Sequence, residues 1–368
     1  MRFSCNSANL ASGIQIVTRI ISSKTTLPIL SGIMLDASEG DLRLATSDLE
    51  ISMETRIEAE ISEPGRCVLP AKYISELVRR LPNLGVTFTS AANLGPVQIS
   101  CNSAEYLVNS MDPDQFPLLP EVPMEMTFRI PSEILSELTR RTAYAAAIAD
   151  ARAFLSGILI EASSGMLSMV ATDTFRLSFV TAKVDGISGE LKGIIVPAKV
   201  LVEVTRLAGN LSDKVGIAIG ENRSEFTFGT TRIISRLIEG RFPNYRQVIP
   251  NGHIARIKIS SRQFLEMVDR VSLLVRDDIG SVKLSVAGGV LTVTANSPDL
   301  GRAKEEISVD HEGEDAEVAL KASYILDALK AIESENVIFD MTGAMSPVSI
   351  QGEQEEDGLH LIMPLTTA

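Results

Sequence analysis

The sequence predicts an α+β protein of three similar tandem domains, each with two helices packed on antiparallel sheets. Three observations support this fold class. The chain has 368 residues, whereas a single domain usually takes ~100–200. Several short segments recur in one order at a spacing of about 125 residues, which is a domain-sized period. Within each copy, stretches with helical periodicity alternate with stretches that have the two-residue period of strands.

Three unrelated types of segment carry the repeat and keep their order along the chain. They are ATSD at 45–48, ATDT at 171–174 and ANSP at 295–298; LPAK at 69–72, VPAK at 196–199 and LKAS at 320–323; and FP at 116–117 and 242–243. Solenoid repeats run ~20–50 residues because one such unit cannot bury a core, whereas a unit of this size can. The predicted domains are therefore 1–122, 123–250 and 251–368, and proline-rich boundaries favour extended connections between them.

Six helices, two per copy, are predicted from apolar residues spaced three and four apart. Their predicted limits are 7–24, 71–83, 131–147, 198–210, 260–277 and 321–335. In the second helix, Ile74, Leu77 and Leu81 lie on one face. Pro70 stands at its start, where the missing N–H group costs nothing.

The strands are predicted from alternation of apolar and polar residues. Residues 167–171 and 290–294 show it clearly. The Ala-Gly-Gly sequence at 287–289 predicts a hairpin turn before the second of these strands. Together with the helices, this pattern gives each copy the same α+β content.

The chain is acidic overall, but its charge is unevenly distributed. It holds 34 basic and 47 acidic residues, a net charge of −13. The six predicted helices instead hold 14 basic and 10 acidic residues. Two interpretations stay open here: the helix charges simply solvate exposed faces, or mildly positive helices on an acidic body face a polyanion.

Helix geometry makes the second interpretation attractive. If six such domains closed into a ring with their helices inward, twelve helices ~10 Å apart would lie on a circle about 38 Å across. A helix radius of ~5 Å on each side leaves an opening of about 28 Å. A DNA duplex, roughly 20 Å across, would fit loosely. Two copies of a three-domain chain, joined head to tail, would close such a ring.

Composition argues against a disulfide framework and against a membrane protein. The three cysteines, Cys5, Cys67 and Cys101, are odd in number and widely spaced, which suits a reducing cytosol. The N-terminus turns polar at once, so no secretory signal is expected. No apolar run approaches the ~20 residues of a membrane helix. We therefore expect a soluble, cytoplasmic protein.

The sequence offers no motif of an enzyme. It lacks a Gly-x-x-x-x-Gly-Lys loop, a dinucleotide fingerprint, a nucleophile elbow and a His-Glu-x-x-His pair. The histidines His253, His311 and His360 share no spacing with carboxylates or cysteines, and we expect them at the surface. Asp48 and Asp173 would suit a metal site, but each stands at a strand end, where aspartate commonly caps a turn. No catalytic residue, metal or cofactor is expected.

Seven segments spread along the chain resemble one known family. They are LPIL at 27–30, ATSDLE at 45–50, VLPAK at 68–72, VATD at 170–173, RL at 176–177, GRFPNYR at 240–246 and MP at 363–364. In this order, from Met1 to Leu365, the chain closely resembles the bacterial sliding clamps, the beta subunits of DNA polymerase III. The resemblance implies a head-to-tail dimer that closes into a ring around duplex DNA and confers processivity on the polymerase without catalysing a reaction. A separate ATP-driven loader would open the ring.

The resemblance also implies three sets of site residues. The residues expected to face DNA are Arg19, Lys24, Lys72, Arg79, Lys199 and Arg206. Those expected at the dimer interface are Tyr106, Val108, Leu273 and Leu274. A groove between the second and third domains, which would capture short linear peptides, is matched by Arg152, Phe154, Leu155, Thr172, Thr174, Phe175, Arg176, Leu177, Pro243, Gln247, Val248, Tyr324, Met345, Leu361, Met363, Pro364 and Leu365. Leucine and methionine suit such a groove because they repack around different ligands.

The implied partners are a second copy of the chain and double-stranded DNA bound without sequence preference. Through short peptides, they include the DNA polymerase III alpha subunit, the clamp loader, other polymerases and repair proteins. The implied location is the cytoplasm, on the nucleoid and away from membranes. The main alternative is a monomeric three-domain peptide scaffold, and a further one is a carboxylate hydrolase using Asp48 and Asp173. The chain departs from many relatives in ending with TTA at 366–368, where they have a basic residue and leucine.

Overall fold

The computed structural model describes two compact units. It describes residues 1–368 except 22–24, 26, 91–94, 118, 120, 123–125, 149, 188, 276–279, 356 and 366–368. The first unit comprises Met1–Glu133 and Glu203–Leu237, and the second comprises Ile134–Val202 and Ile238–Ala368. The two units divide the chain at other positions than the sequence repeat does. The predicted domain boundaries, after residues 122 and 250, therefore stay a prediction.

All six predicted helices are present. They are α1 Ser7–Val17, α2 Ala71–Arg80, α3 Ser132–Ala143, α4 Ala198–Leu211, α5 Ser261–Ser272 and α6 Ala322–Ala331. α1 begins where the Asn6 side chain accepts hydrogen bonds from the next turn, at Ala8 N and Asn9 N. Five of the helices end earlier than predicted. α2, for example, ends before Leu81, which is extended because Pro82 follows it.

The structure describes 26 strands. They are β1 Arg2–Asn6, β2 Gly32–Glu39, β3 Asp41–Ser47, β4 Ile51–Ile57, β5 Glu60–Glu63, β6 Arg66–Pro70, β7 Gly85–Ser90, β8 Pro96–Cys101, β9 Ala104–Asn109, β10 Met126–Pro131, β11 Gly157–Ser163, β12 Met166–Thr172, β13 Arg176–Lys183, β14 Leu191–Pro197, β15 Lys214–Ile219, β16 Arg223–Phe228, β17 Thr231–Arg236, β18 Ala255–Ser260, β19 Ser281–Ala287, β20 Val290–Ser297, β21 Gly301–Ser308, β22 Asp310–Gly313, β23 Ala316–Lys321, β24 Asn336–Met341, β25 Val348–Gly352 and β26 Gly358–Ile362. Both strands singled out by their alternation, at 167–171 and 290–294, are confirmed within β12 and β20.

In the first unit the strands form two antiparallel sheets. The smaller has the order β5-β1-β7-β8-β9, and the larger has the order β10-β15-β16-β17-β4-β3-β2-β6. In the larger sheet β17 pairs with β4, where Ile233 stands opposite Met53. Strands of the first and second copies therefore share one sheet.

In the second unit the strands again form two antiparallel sheets. One has the order β14-β11-β12-β13-β26-β25-β24-β18-β22, and the other has the order β21-β20-β19-β23. β13 pairs with β26, where Leu177 stands opposite Leu361. This pairing joins strands of the second and third copies, and the candidate site lies at its end.

The predicted hairpin turn is confirmed between β19 and β20. Gly288 and Gly289 have φ angles of +56° and +77°. A tight two-residue turn of this kind needs positive φ at both positions, which glycine adopts without a steric penalty.

Aromatic pairs lie in the apolar interior of each unit. Phe3 and Phe88 stack with their ring centroids 4.9 Å apart in the first unit. Phe264 and Phe339 pack edge to face, 5.7 Å apart, in the second. The buried apolar residues of α5, which include Phe264, and those of α6 lie in the same cluster as Phe339, as the helical periodicity predicts.

The three cysteines are free and buried. Burial raises the pKa of Cys5 and of Cys67 to about 12. Both thiols are therefore protonated at neutral pH.

The surface prediction for His360 is wrong. Its side chain is 1% exposed, because β26 runs between two neighbouring strands of the nine-stranded sheet. The ring Nδ1 lies 2.8 Å from the Tyr144 hydroxyl and 3.1 Å from Ser178 Oγ. Burial, together with the charges of Arg141 and Arg140, lowers the pKa of His360 to about 3, so the ring is neutral at pH 7.

Candidate functional site

A cavity of about 190 Å³ in the second unit gathers many of the predicted groove residues. Its lining consists of Thr172, Thr174, Arg176, Leu177, Pro243, Asn244, Tyr245, Val248, Pro347, Leu361 and Met363. Eight of these were predicted from the sequence. The ends of β12, β13 and β26 and the segment that follows Phe242 bring them together. We call this cavity the groove.

The floor of the groove is apolar and rigidly packed. Leu177 and Leu361 are neighbours on β13 and β26, and both are buried. Tyr245, another lining residue, packs in the same buried cluster. At the rim, in contrast, Val248 is 46% exposed and Met363 37% exposed. Exposed apolar side chains around a concave apolar floor are typical of a ligand site.

The turn between β12 and β13 fixes one side of the groove. Thr174 adopts a left-handed conformation with a φ of +78°. The Thr172 hydroxyl donates to the Arg176 carbonyl oxygen at 2.7 Å and accepts from the Thr174 N–H at 3.0 Å. Asp173 Oδ1 accepts from the backbone N–H groups of Phe175 and Arg176. This carboxylate therefore caps a turn, as predicted.

The equivalent turn of the first copy has the same geometry. Leu49 has a φ of +76°. Asp48 Oδ1 accepts from the N–H groups of Glu50 and Ile51, at 3.0 and 2.6 Å. The repeat therefore extends to individual hydrogen bonds, and both aspartates have a structural role.

The Arg176 side chain is held by the protein itself. Its Nε lies 3.0 Å from Asp173 Oδ2, and its Nη1 lies 2.5 Å from Asp327 Oδ2. The guanidinium carbon lies 4.6 Å from the ring centroid of Tyr324 and 5.3 Å from that of Tyr144. Burial raises the pKa of both tyrosines. Arg176 therefore shapes the wall of the groove, while its own hydrogen-bonding capacity is largely used.

Two backbone hydrogen bonds hold the segment that follows β26, in which Met363 lines the groove. The Met363 N–H donates to the Phe175 carbonyl oxygen, and the Leu365 N–H donates to the Ala319 carbonyl oxygen, both at 2.8 Å. These bonds fix the rim that Met363 forms. The tail at 366–368 lies outside the described residues.

Nine of the predicted groove residues are not part of the cavity lining. They are Arg152, Phe154, Leu155, Phe175, Gln247, Tyr324, Met345, Pro364 and Leu365. Leu155 is fully buried, and its carbonyl oxygen accepts from the Ala147 N–H. Met345 and Phe175 are instead strongly exposed. Arg152 pairs with Asp150, whose pKa it lowers to about 2 through hydrogen bonds.

Sequence reasoning missed three lining residues, Asn244, Tyr245 and Pro347. Asn244 and Tyr245 directly follow the Phe-Pro pair of the repeat, so their place next to a predicted residue was a usable signal. Pro347 stands in the loop before β25, and no feature of the sequence marks it as part of the site.

The residues predicted to face DNA have different environments. Lys72, Arg79, Lys199 and Arg206 are exposed on helices. Arg19 is partly buried, and its Nη1 lies 3.4 Å from Glu203 Oε2. Lys24 lies outside the described residues.

The residues predicted at the dimer interface are apolar and accessible. Tyr106 is 38% exposed on β9, the last strand of its sheet, and Val108 is partly exposed beside it. Leu273 follows α5 and is 75% exposed, and Leu274 is partly exposed. None of the four is a fully buried core residue.

The described part of the chain holds neither a cluster of metal ligands nor a membrane-spanning helix. Among its residues, no group of three or more His, Cys, Asp or Glu side chains could hold a metal ion. Within the same residues, no helix is long and apolar enough to cross a membrane.

Comparison with known proteins identifies the family. Models of the N-terminal, central and C-terminal domains of the DNA polymerase III beta subunit match residues 1–120, 129–244 and 246–366. The beta sliding clamp of Bacillus subtilis is 32% identical over 378 residues, with 100% of both chains covered. A crystal structure of the sliding clamp from Bacillus subtilis has a TM-score of 0.95 at 32% identity and covers both chains fully. A crystal structure of the beta subunit from Pseudomonas aeruginosa has a TM-score of 0.94 at 28% identity, covering 99% of this chain and 100% of that one. The chain therefore belongs to the DNA polymerase III beta subunit family, the three-domain sliding clamps.

Proposed function

We propose that two copies of this chain close into a ring around duplex DNA and tether the replicative polymerase through the groove. As a member of its family, the chain is a non-catalytic processivity factor of DNA polymerase III. One observation carries the tethering role: the groove combines a buried apolar floor with exposed apolar rims. The proposed domain boundaries are those of the repeat, after residues 122 and 250.

The chemistry of the groove favours a short peptide with apolar side chains as its ligand. Leu177 and Leu361 offer a preformed apolar surface, and Met363 can repack around different ligands. The polar groups of Thr172 and Arg176 are engaged within the protein. Affinity would therefore come from burial of apolar side chains. The proposed ligands are peptides from the alpha subunit, the clamp loader, other polymerases and repair proteins.

Substitution of the floor and the rim tests the groove. Leu177→Lys places a charge in the floor and should abolish binding of short labelled peptides that tile the polymerase III alpha subunit, without changing the oligomeric state. Because Leu177 is buried, Val248→Lys on the exposed rim serves as a second variant that leaves the core intact. Leu211→Lys, at an exposed leucine of α4, is the matched control. Peptide binding that survives in both groove variants would refute the assignment.

We further propose a homodimer that uses the apolar residues at β9 and after α5. Tyr106 and Val108 lie on a sheet edge, and such edges are normally covered or paired. Leu273 exposes three quarters of its surface. Leu273→Arg should convert the dimer into a monomer in light scattering. A wild-type monomer would favour the alternative, a peptide scaffold that does not enclose DNA.

The exposed helix cations would attract DNA without reading its sequence. Lys72, Arg79, Lys199 and Arg206 are the proposed phosphate-facing residues, and Arg19 and Lys24 are proposed to assist them. The acidic remainder of the chain would repel other DNA. Such a clamp is expected to work on the nucleoid in the cytoplasm, after a separate loader has opened it.

A further inference from the structure

One wall of the groove is held by a residue that lies outside the cavity. We infer that Glu161 is a positioning residue of the groove: it anchors Tyr245 and thereby fixes the short turn Tyr245–Val248 that forms the wall. This inference rests on the proposed peptide-binding function and deepens it, because it identifies what keeps the groove in shape.

The contacts of Glu161 are short and converge on one oxygen. Glu161 Oε2 accepts a hydrogen bond from the Tyr245 hydroxyl and another from Arg246 Nη2, both at 2.8 Å. The guanidinium carbon of Arg246 lies 4.7 Å from the Tyr245 ring centroid. Hydrogen bonds to an ionised carboxylate are stronger than neutral ones. Two consecutive residues of the wall are thus tied to one side chain of β11.

The wall needs such an anchor, because it consists of a single short turn. Tyr245–Val248 is a four-residue 3₁₀ turn, and Asn244 before it makes no capping hydrogen bond through its side chain to any described residue. Tyr245 is 3% exposed, with its ring 5.6 Å from that of Phe179. A buried tyrosine hydroxyl requires a hydrogen-bond partner. Glu161 supplies that partner and so determines where the turn sits.

Glu161 lies at a β-bulge in the pairing of β11 with β14. Ile160 pairs with Ile194 and Ala162 pairs with Leu191, so two residues of β14 stand opposite Glu161 alone. One of the two is Gly193, with a φ of +95°. Beta-bulges commonly redirect a side chain beside a functional site.

A side chain at Gly193 would crowd this arrangement. A Cβ there would lie 3.1 Å from Leu159 Cδ1 and 3.7 Å from Glu161 Cγ. The positive φ therefore favours glycine at this position, and the tight contact with Leu159 adds to that preference.

The first copy of the repeat lacks this anchor. The repeat aligns Asp36 with Glu161 and Leu119 with Tyr245. The Asp36 carboxylate is bound instead by Arg43, at 2.7 Å, and leucine has no hydroxyl to donate. The anchor is therefore not shared by the first and second copies, and it occurs in the second copy, which supplies this wall of the groove.

The first arm of the test measures peptide binding. The full-length wild type, Glu161→Ala, Glu161→Gln and the control Glu190→Ala are titrated with the labelled alpha-subunit peptide that binds the wild type most tightly. Glu190 is an exposed carboxylate lining the same outer cavity as Glu161. Glu161→Ala should weaken binding about tenfold, the equivalent of one hydrogen bond to a charged group. Glu161→Gln keeps an acceptor for the tyrosine and should restore most of the affinity, and Glu190→Ala should match the wild type.

The second arm observes Tyr245 directly. In protein labelled with ¹³C-tyrosine, the Tyr245 NMR signal is assigned by its loss in Tyr245→Phe. Glu161→Ala should shift this signal and leave those of the other four tyrosines in place. An unshifted Tyr245 signal, or peptide affinity within twofold of wild type in Glu161→Ala, would overturn the inference. A wild type that binds none of the peptides would instead refute the proposed function.

Discussion

Polar residues beside the groove mainly hold the protein in shape. Arg176, Thr172 and Asp173 all belong to motifs that suggest ligand binding, yet each makes its hydrogen bonds to other groups of the chain. The surface left for a partner is formed by apolar atoms of Leu177, Leu361 and their neighbours. Recognition would thus depend on shape and burial, and the polar residues would act by fixing that shape.

Loss of the Arg176 side chain should destabilise the protein. Arg176→Ala would leave Asp173 and Asp327 without their shared cation, at a cost of about 2 kcal/mol of unfolding free energy, because Asp327 keeps some access to water. Arg176→Lys should recover little, since lysine cannot form both contacts and stack on Tyr324. Urea denaturation measures the effect. The exposed variant Arg206→Ala is the control and should change stability by less than about 0.5 kcal/mol; an equal loss there would contradict the account.

His360 should make stability depend on pH in acid. Its folded pKa of about 3 lies below its usual value of 6.5. The unfolded chain therefore binds one more proton between these pH values, and stability falls as pH drops through this window, by about 1.4 kcal/mol per unit. His360→Asn has no titrating ring, so in this variant the contribution of His360 to the pH dependence of stability should be absent. Chemical denaturation at pH 7, 6 and 5 compares the two proteins; parallel pH curves would show that the ring is not buried in its neutral form.

Some residues in and near the site were predicted correctly from the sequence, and others were misplaced or missed. Leu177, Val248 and Met363 follow from their match to the family pattern. His360 was placed at the surface because a single histidine carries no signal of burial, and its position in the middle of a sheet depends on long-range pairing of β26. Pro347 was missed for the same reason, since the pairing of β25 with β26 brings its loop to the groove.

At the scale of elements, the turns before β4 and β13 are under backbone strain. Leu49 and Thr174 have left-handed φ angles, which cost a residue with a Cβ about 1 kcal/mol. Leu49→Gly and Thr174→Gly should therefore raise the unfolding free energy, by roughly 0.5 kcal/mol after the entropy of the unfolded chain is counted. Thermal denaturation checks this, with Thr181→Gly in β13 as a destabilising control. A loss of stability in both turn variants would contradict it.

The locations of helices and strands were more predictable than the residues at which they end. The apolar stripes of α2 and α5 are strong enough to locate both helices. Their ends depend on local chemistry that the stripe does not contain, such as Pro82 after α2. The alternation likewise located β20, and the two glycines before it located the hairpin turn.

At the scale of the whole molecule, the repeat and the compact units describe different properties. The repeat counts three copies, whereas the pairing of β4 with β17 places strands of two copies in one unit. The sequence repeat predicts that the copies have similar folds, but it does not predict which strands pair between copies. The overall charge of −13 likewise conceals the exposed cations of α2 and α4.

The most direct test of the account is whether the protein is held on DNA by topology. The purified protein is loaded onto nicked circular plasmid with its loader and ATP, and half of the sample is then linearised with a restriction enzyme before gel filtration. We predict that the protein elutes with the circles and is lost from the linear DNA, because a ring can slide off an end. Equal retention on both forms, or no retention on either, would contradict enclosure of DNA by this chain.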